Sequence, residues 1–291
     1  MKPPPFEYRA PASVEEALNL LAEAGDDGKA LAGGQSLIPL LNFRLARPSV
    51  LIDLNGIPSL SGITLTAEGS VCIGAMTRQR VLERSVDIRQ CAPLITETMP
   101  HVAHPQIRNR GTIGGSLAHA EPAAELPAVM ITLGARVRLQ NKTGERWLSA
   151  NDFFTGLFST ALETGELLTA VEVPAMPPRT GYAFEEFARR HGDFALLGVA
   201  TTVTLDQSGI CRDARITLVN PGAGAERMNH AAQTLLGSAP NAAKINEVAE
   251  LVGSAITATA DVHASAAYRQ QLARVLTRRA LDRAFSRALR A

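Results

Sequence analysis

The chain reads as an α+β protein: two small lobes that mix strands and helices, then a C-terminal unit with a three-stranded antiparallel sheet and helices. Three observations carry this reading. Short apolar runs alternate with helical spacing up to about residue 56; the texture changes between 57 and 177; and the last third sets three strand-like runs ahead of three helix-like ones. The expected units are therefore 1–56, 57–177 and 178–291.

In the first unit, Phe6 to Tyr8 suits an edge strand, and Ser13-Val14-Glu15-Glu16 is a capping-box pattern. It opens a helix through Leu18, Leu20 and Leu21 that ends before Gly25-Asp26-Asp27-Gly28. Lys29 to Leu31 forms the next strand, and Ala32-Gly33-Gly34-Gln35-Ser36 the turn after it. Ser36 is placed to cap a helix carrying Leu37, Leu40, Leu41 and Leu45, with Pro39 in the first turn, where a missing N–H costs nothing, and Pro48 as the stop. Val50 to Leu54 reads as a buried strand.

The second unit opens near Ile57. Val71 to Ala75 is a strand, and Thr77 the expected cap of a helix around Val81 and Leu82. A polar, proline-punctuated loop from His101 to Arg110 leads into the second glycine turn, Gly111-Thr112-Ile113-Gly114-Gly115-Ser116. A helix from Ala123 to Leu133 and strands at Val137 to Leu139 and Leu167 to Val173 follow, and Pro174, Pro177 and Pro178 mark a boundary. Beyond it, Tyr182 to Phe187, Val199 to Leu205 and Ile210 to Val219 are strands, the last two joined by an Asp206-Gln207-Ser208-Gly209 hairpin turn. Met228 to Leu236, Ala242 to Ala255 and Ser265 to Arg290 are helices, the last one arginine-rich as for a solvated face or a contact with another chain.

Composition narrows the function. The 29 basic and 28 acidic residues leave a formal net charge of +1 with no long block of one sign, which gives no support for a nucleic-acid face. No segment resembles a signal-peptide core or a membrane span, so the cytoplasm is the default compartment. Cys72, Cys91 and Cys211 are scattered and form no Cys-x-x-Cys pair, which argues against a disulfide framework and against a zinc or iron–sulfur site within the chain.

Two glycine turns far apart in sequence suggest two clamps on one phosphate-bearing ligand. Glycine lets backbone amides approach an anion, and a following helix offers unpaired N–H groups and a positive dipole end. Either turn alone reads equally as a plain strand-to-helix connection. The nicotinamide fingerprint and the Walker lysine are both absent.

After the second turn, His119-Ala120-Glu121-Pro122-Ala123-Ala124-Glu125 sets carboxylates near a helix start, as plain dipole compensation or as a contact to ribose hydroxyls. His101, His104 and His119 lack the spacing of a metal site and read as ordinary hydrogen-bonding groups. Arg189-Arg190-His191-Gly192-Asp193-Phe194 is an exposed basic turn or a lid over a cofactor. No hydrolytic triad signature occurs, and no catalytic acid, base or nucleophile is expected.

Taken together, Ala32 to Pro39, Gln106 to Ser116, Pro122 to Pro127, Arg189 to Ala195 and Ser265 to Leu281 resemble the FAD-binding medium subunits of the molybdenum hydroxylases, the family of carbon monoxide dehydrogenase and xanthine dehydrogenase. The resemblance spans almost the whole chain. It implies a two-lobed flavin domain of the vanillyl-alcohol-oxidase type and a smaller C-terminal domain. It also implies non-covalent FAD, with Ala32, Gly33, Gly34, Gln35 and Ser36 and Thr112, Ile113, Gly114, Gly115 and Ser116 at the pyrophosphate, and Glu125 at the ribose. Leu168 matches an apolar position beside the flavin, and Asp193 and Phe194 a segment near the isoalloxazine ring. Relatives often carry asparagine at the position of Ser116, aspartate at that of Glu125, and some a lysine at that of Glu185.

The implied role is electron transfer within an oxidoreductase complex. A molybdopterin large subunit oxidises substrate, a small subunit with [2Fe-2S] clusters relays electrons, and this chain passes them through FAD to an acceptor, in a dimer of heterotrimers. A free-standing flavin oxidase or reductase, and a non-catalytic FAD-dependent structural subunit, are the alternatives.

Overall fold

The structure is a computed structural model and describes residues 2–291. The first lobe holds β1 (Glu7–Arg9), α1 (Val14–Ala24), β2 (Gly28–Leu31), α2 (Leu37–Asn42) and β3 (Val50–Asp53). Its strands form a parallel sheet in the order β1-β3-β2, so Phe6 to Tyr8, shifted by one residue, does begin at a sheet edge. Ser13 caps α1 by accepting from Glu16 N at 3.1 Å, and the Glu16 carboxylate reaches back to Ala12 N at 2.8 Å, one residue beyond a standard capping box. Ala17, Leu18 and Leu21 share one helical face, which packs on Ile52 of the sheet.

Two details of α2 depart from expectation. The Ser36 side chain makes no capping bond, and Leu45 lies beyond the helix and is exposed; the chain leaves the helix at Phe43, with Arg44 in left-handed backbone.

The second lobe continues with β4 (Ile63–Leu65), β5 (Val71–Gly74), α3 (Gln79–Arg84), α4 (Val86–Cys91), α5 (Pro93–Thr98), α6 (Pro105–Arg108), α7 (Ile113–His119), α8 (Glu125–Leu133), β6 (Arg136–Asn141), β7 (Gly144–Ser149), α9 (Ala150–Phe153), β8 (Phe154–Gly156), β9 (Ser159–Thr160) and β10 (Leu167–Val173). Five strands form an antiparallel sheet in the order β4-β5-β10-β6-β7. Thr77 caps nothing: its hydroxyl pairs with the backbone of Gly62 through both N–H and C=O, and α3 starts two residues later. The loop from His101 to Arg110 contains α6, because Pro105 occupies the first helical position, where proline fits.

The C-terminal unit comprises β11 (Thr180–Phe187), β12 (Leu197–Leu205), β13 (Cys211–Val219), β14 (Glu226–Arg227), α10 (Asn229–Gln233), α11 (Ala242–Ala255) and α12 (Ala266–Ala288). The expected three antiparallel strands are joined by the two-residue β14 at the far edge. In the hairpin turn, Asp206 takes the amides of Ser208 and Ile210 on its side chain.

Both faces of this sheet are covered, and strand alternation shows it. Along β12, Leu197, Val199 and Val203 pack toward α11 and α12, whereas Ala200 points the other way, into the core around α8. Helix α8 is apolar except for Glu125 and Thr132 and every residue in it is buried, as suits a helix packed against β12 and β13 and enclosed by the second lobe's core. Its Thr132 hydroxyl bonds Ala128 O and Thr217 Oγ1, each at 2.8 Å. The arginines of α12 bind mostly within the chain: Arg269 reaches Asp261 and Leu196 O, Arg274 reaches Glu250, and Arg283 and Arg287 reach Glu97 of α5.

Candidate functional site

The two glycine turns touch. A Cβ at Gly33 would overlap the carbonyl oxygen of Arg110 and stand 2.8 Å from the Cα of Gly111, so the first turn packs backbone to backbone against the second. A Cβ at Gly115 would stand 3.2 Å from that of Ala32. Gly34 has φ +75°, the left-handed region that glycine adopts without strain. Beside this contact lies a cavity of about 370 Å³, walled by Leu31, Gly33, Gly34, Gln35, Ile38, Pro39, Ile107 and Arg110.

The amides of the turns differ. Those of Gly34, Gln35 and Ser36 donate to no group of the chain among the described residues. In the second turn, Ile113 N donates to Thr77 O at 3.1 Å, Gly114 N to Ala75 O at 2.8 Å and Gly115 N to the Oγ1 of Thr112, the α7 cap, at 3.1 Å. The second turn is thus docked onto the segment that follows β5, which is held in turn by Ala75 N on Thr169 O of β10 at 3.0 Å. Gly114 is glycine for packing, since a Cβ there would stand 2.5 Å from that of Ala75.

Sequence reasoning missed the side chains that link the turns. Asn55 Nδ2 donates to Ala32 O at 3.0 Å and to Asp53; Arg78 donates to Asn55 Oδ1 at 2.6 Å and to Arg110 O. Asp53 also accepts from Tyr8 OH at 2.5 Å. Burial alone would raise the Asp53 pKa, but the bonds from Tyr8 and Asn55 and the charge of Arg110 hold it below its ordinary value. Burial and the nearby Arg110 both lower that of Arg78. No motif marks Asp53, Asn55 or Arg78; only the folded chain brings them to Arg110 of the second motif.

Glu125 sits elsewhere, at the first position of α8, buried in the seam between the second lobe and the C-terminal unit. Burial pushes its pKa up to about 7, against a lowering by its own backbone N–H and by Arg108. Across the seam, burial and then the charge of Glu125 push Glu186 of β11 up to about 9. His101 Nδ1 lies 3.8 Å from Glu186 Oε1, and Glu186 Oε2 is buried with no hydrogen-bond partner among the described residues. Arg108 anchors α6 through both Glu83 oxygens and Val102 O.

Leu168 is buried in the core of the second lobe, on β10 just before the residue that holds the segment following β5. The turn carrying Asp193 and Phe194 lies against the segment entering α6: a Cβ at Gly192 would stand 2.5 Å from His104 Nδ1. Phe194 is 70% exposed. Ser116 falls inside α7, its amide bound to Thr112 O. No group of three or more His, Cys, Asp or Glu side chains among the described residues is arranged to hold a metal ion. No helix among them is long and apolar enough to cross a membrane.

A glycine turn with spare amides, backed by a second turn and by cations, beside an open cavity, fits a ligand with a diphosphate, and the two lobes match what the resemblance implies for an FAD-binding domain. Comparison with known proteins agrees. Residues 4–176 match the family described as the FAD binding domain in molybdopterin dehydrogenase, and 182–284 the CO dehydrogenase flavoprotein C-terminal domain. The chain belongs to the FAD-binding medium subunits of the molybdenum hydroxylases, an oxidoreductase family. It is 46% identical to the 6-hydroxypseudooxynicotine dehydrogenase complex subunit alpha of Paenarthrobacter nicotinovorans, over 99% of this chain and 97% of that protein. Among solved structures, it superposes on carbon monoxide dehydrogenase from Hydrogenophaga pseudoflava (TM-score 0.95, 39% identity, 99% of each chain). It also superposes on quinoline 2-oxidoreductase from Pseudomonas putida 86 (TM-score 0.93, 39% identity, 99% of this chain and 100% of that one).

Proposed function

We propose that this chain is the FAD-bearing electron-transfer subunit of a cytoplasmic molybdenum hydroxylase complex, built with an iron–sulfur small subunit and a molybdopterin large subunit as a dimer of heterotrimers. The observation that carries the proposal is the pairing of spare amides at Gly34, Gln35 and Ser36 with the buttress formed by Arg110 and Gly111. When bound, FAD supplies the redox chemistry, and the protein's task is to hold, orient and tune it.

Each part of the chain has a task in this reading. The first turn binds the diphosphate with amides that need no reorganisation. The second turn, its own amides mostly committed to Thr77, Ala75 and Thr112, fixes the first turn's position and adds the Thr112 end of α7. Glu125 accepts from ribose hydroxyls. Leu168 lines the flavin's apolar side, and Asp193 and Phe194 cover the ring, Phe194 being free to shield it or move aside. With lobes at 1–56 and 57–177 and a C-terminal domain at 178–291, this reading has the cofactor bound where all three meet. Substrate choice then belongs to the molybdenum-bearing partner.

Purified chain should hold about one FAD and oxidise no substrate until both partner subunits are added. Substrate turnover by the chain alone would favour a free-standing flavin oxidase instead, and absence of flavin from native material would refute both enzyme readings.

A further inference from the structure

The bridge Ala32–Asn55–Arg78–Arg110 joins the two glycine turns through three side-chain hydrogen bonds, and Asn55 and Arg78 belong to neither turn. Asn55 spans the gap as donor to Ala32 O and acceptor from Arg78, and the flat guanidinium fork of Arg78 serves Asn55 and Arg110 O at once. Burial and then the nearby charge of Arg110 lower the Arg78 pKa, while Asp53, the carboxylate beside them, already accepts from Tyr8 and Asn55. Arg110 makes no salt bridge among the described residues and lines the cavity beside Gly33 and Gly34. The local charge is therefore positive at the edge of the cradle, although the whole chain is nearly neutral.

We propose that Asn55 and Arg78 are positioning residues that fix the first turn's amides in their anion-binding arrangement, and that Arg110 is the cation that meets the diphosphate. The proposal rests on the FAD reading above and adds residues to it. A bond to a neutral carbonyl from a charged group is stronger than a neutral pair, so the bridge resists the drift of one lobe past the other. A turn free to drift would present its amides in mixed directions, and binding would then have to order them.

The test is the FAD affinity of the full apo-chain, read by quenching of flavin fluorescence over a range of salt concentrations, for Asn55→Ala, Arg78→Lys and Arg110→Gln, alongside thermal unfolding of each apo-chain. Asn55→Ala and Arg78→Lys should weaken FAD about tenfold, the equivalent of one lost hydrogen bond, with apo-chain unfolding temperatures close to wild type. Arg78→Lys keeps the charge and loses the fork, so it separates geometry from electrostatics. Arg110→Gln should flatten the fall of affinity with salt. Unchanged affinity in the folded variants would overturn the proposal, as would a loss of affinity matched by an equal loss of apo-chain stability, which is ordinary fold support. A wild-type chain that binds no FAD would overturn the flavin reading itself, and this proposal with it.

Discussion

Gly33 and Arg110 meet with no room for a methyl group between them. Gly33→Ala must push the first turn off the second, a clash with backbone that costs about 1–3 kcal/mol. The chain should fold with a lower unfolding midpoint and lose FAD. Calorimetry with and without FAD checks this: at about 100 times its Kd the cofactor stabilises wild type by about 2.7 kcal/mol, and the variant should show little of that gain.

Gly34 and Gly114 separate two kinds of glycine. At Gly34, with φ +75°, an alanine is strained by about 1–2 kcal/mol but meets only Ile38 at 3.1 Å and Leu31 at 3.5 Å, so Gly34→Ala should fold and bind FAD weakly. Gly114→Val strikes Ala75 and the backbone beneath it, so cofactor loss there should track unfolding. Circular dichroism melts beside FAD titrations distinguish the two.

Glu125 and Glu186 make stability depend on pH. Both pKa values are raised above the ordinary 4.5 of a glutamate, to about 7 and about 9, so the folded chain holds protons that the unfolded chain releases. Their contribution is complete below about pH 4.5 and is lost as pH rises through about 7 and then about 9. Glu186→Gln should therefore raise the urea midpoint at pH 8.5 and converge on wild type near pH 5. An unchanged difference between the two proteins across that range would contradict this account.

Arg287 ties the last helix to α5. It donates to Glu97 Oε2 at 2.6 Å and Tyr182 O at 2.7 Å, with its guanidinium 4.5 Å from the centre of the Tyr182 ring. Arg287→Ala leaves the half-buried Glu97 with only the Phe184 amide and a long contact to Arg283, and should cost about 2 kcal/mol in chemical denaturation. Arg287→Lys should restore part of it.

Phe194 offers the opposite case. At 70% exposed it contributes little to packing, so Phe194→Ala should leave the unfolding midpoint within about 0.5 kcal/mol of wild type. The accessibility of bound flavin should change instead, read as faster quenching of its fluorescence by iodide.

The sequence carried the parts of the fold with local causes. Ser13, Gly25 and the Asp206 turn act within a few residues of themselves, and each forms as its residue type dictates. Thr77 misled because a hydroxyl before a helix is a cap only if no better partner is near, and Gly62, just ahead of β4, provides one. Helix α7 was hidden because Gly114 and Gly115 have poor helix propensity; docking onto Ala75 and Thr77 overrides it. At the site, the glycine turns were legible as motifs. The Asn55–Arg78 bridge and the Glu125–Glu186 pair were not, since each joins residues whose proximity exists only after the lobes have met.

The core of the first lobe is closed by Met76 and Leu167 as well as by its own Leu18, Leu21 and Ile52. During synthesis the early strands therefore wait, half-covered, for a residue made far later. At roughly 5–20 residues per second, that wait is on the order of ten seconds. Nascent chains stalled before Leu167 should present a sticky surface to chaperones, and chains released beyond it should not.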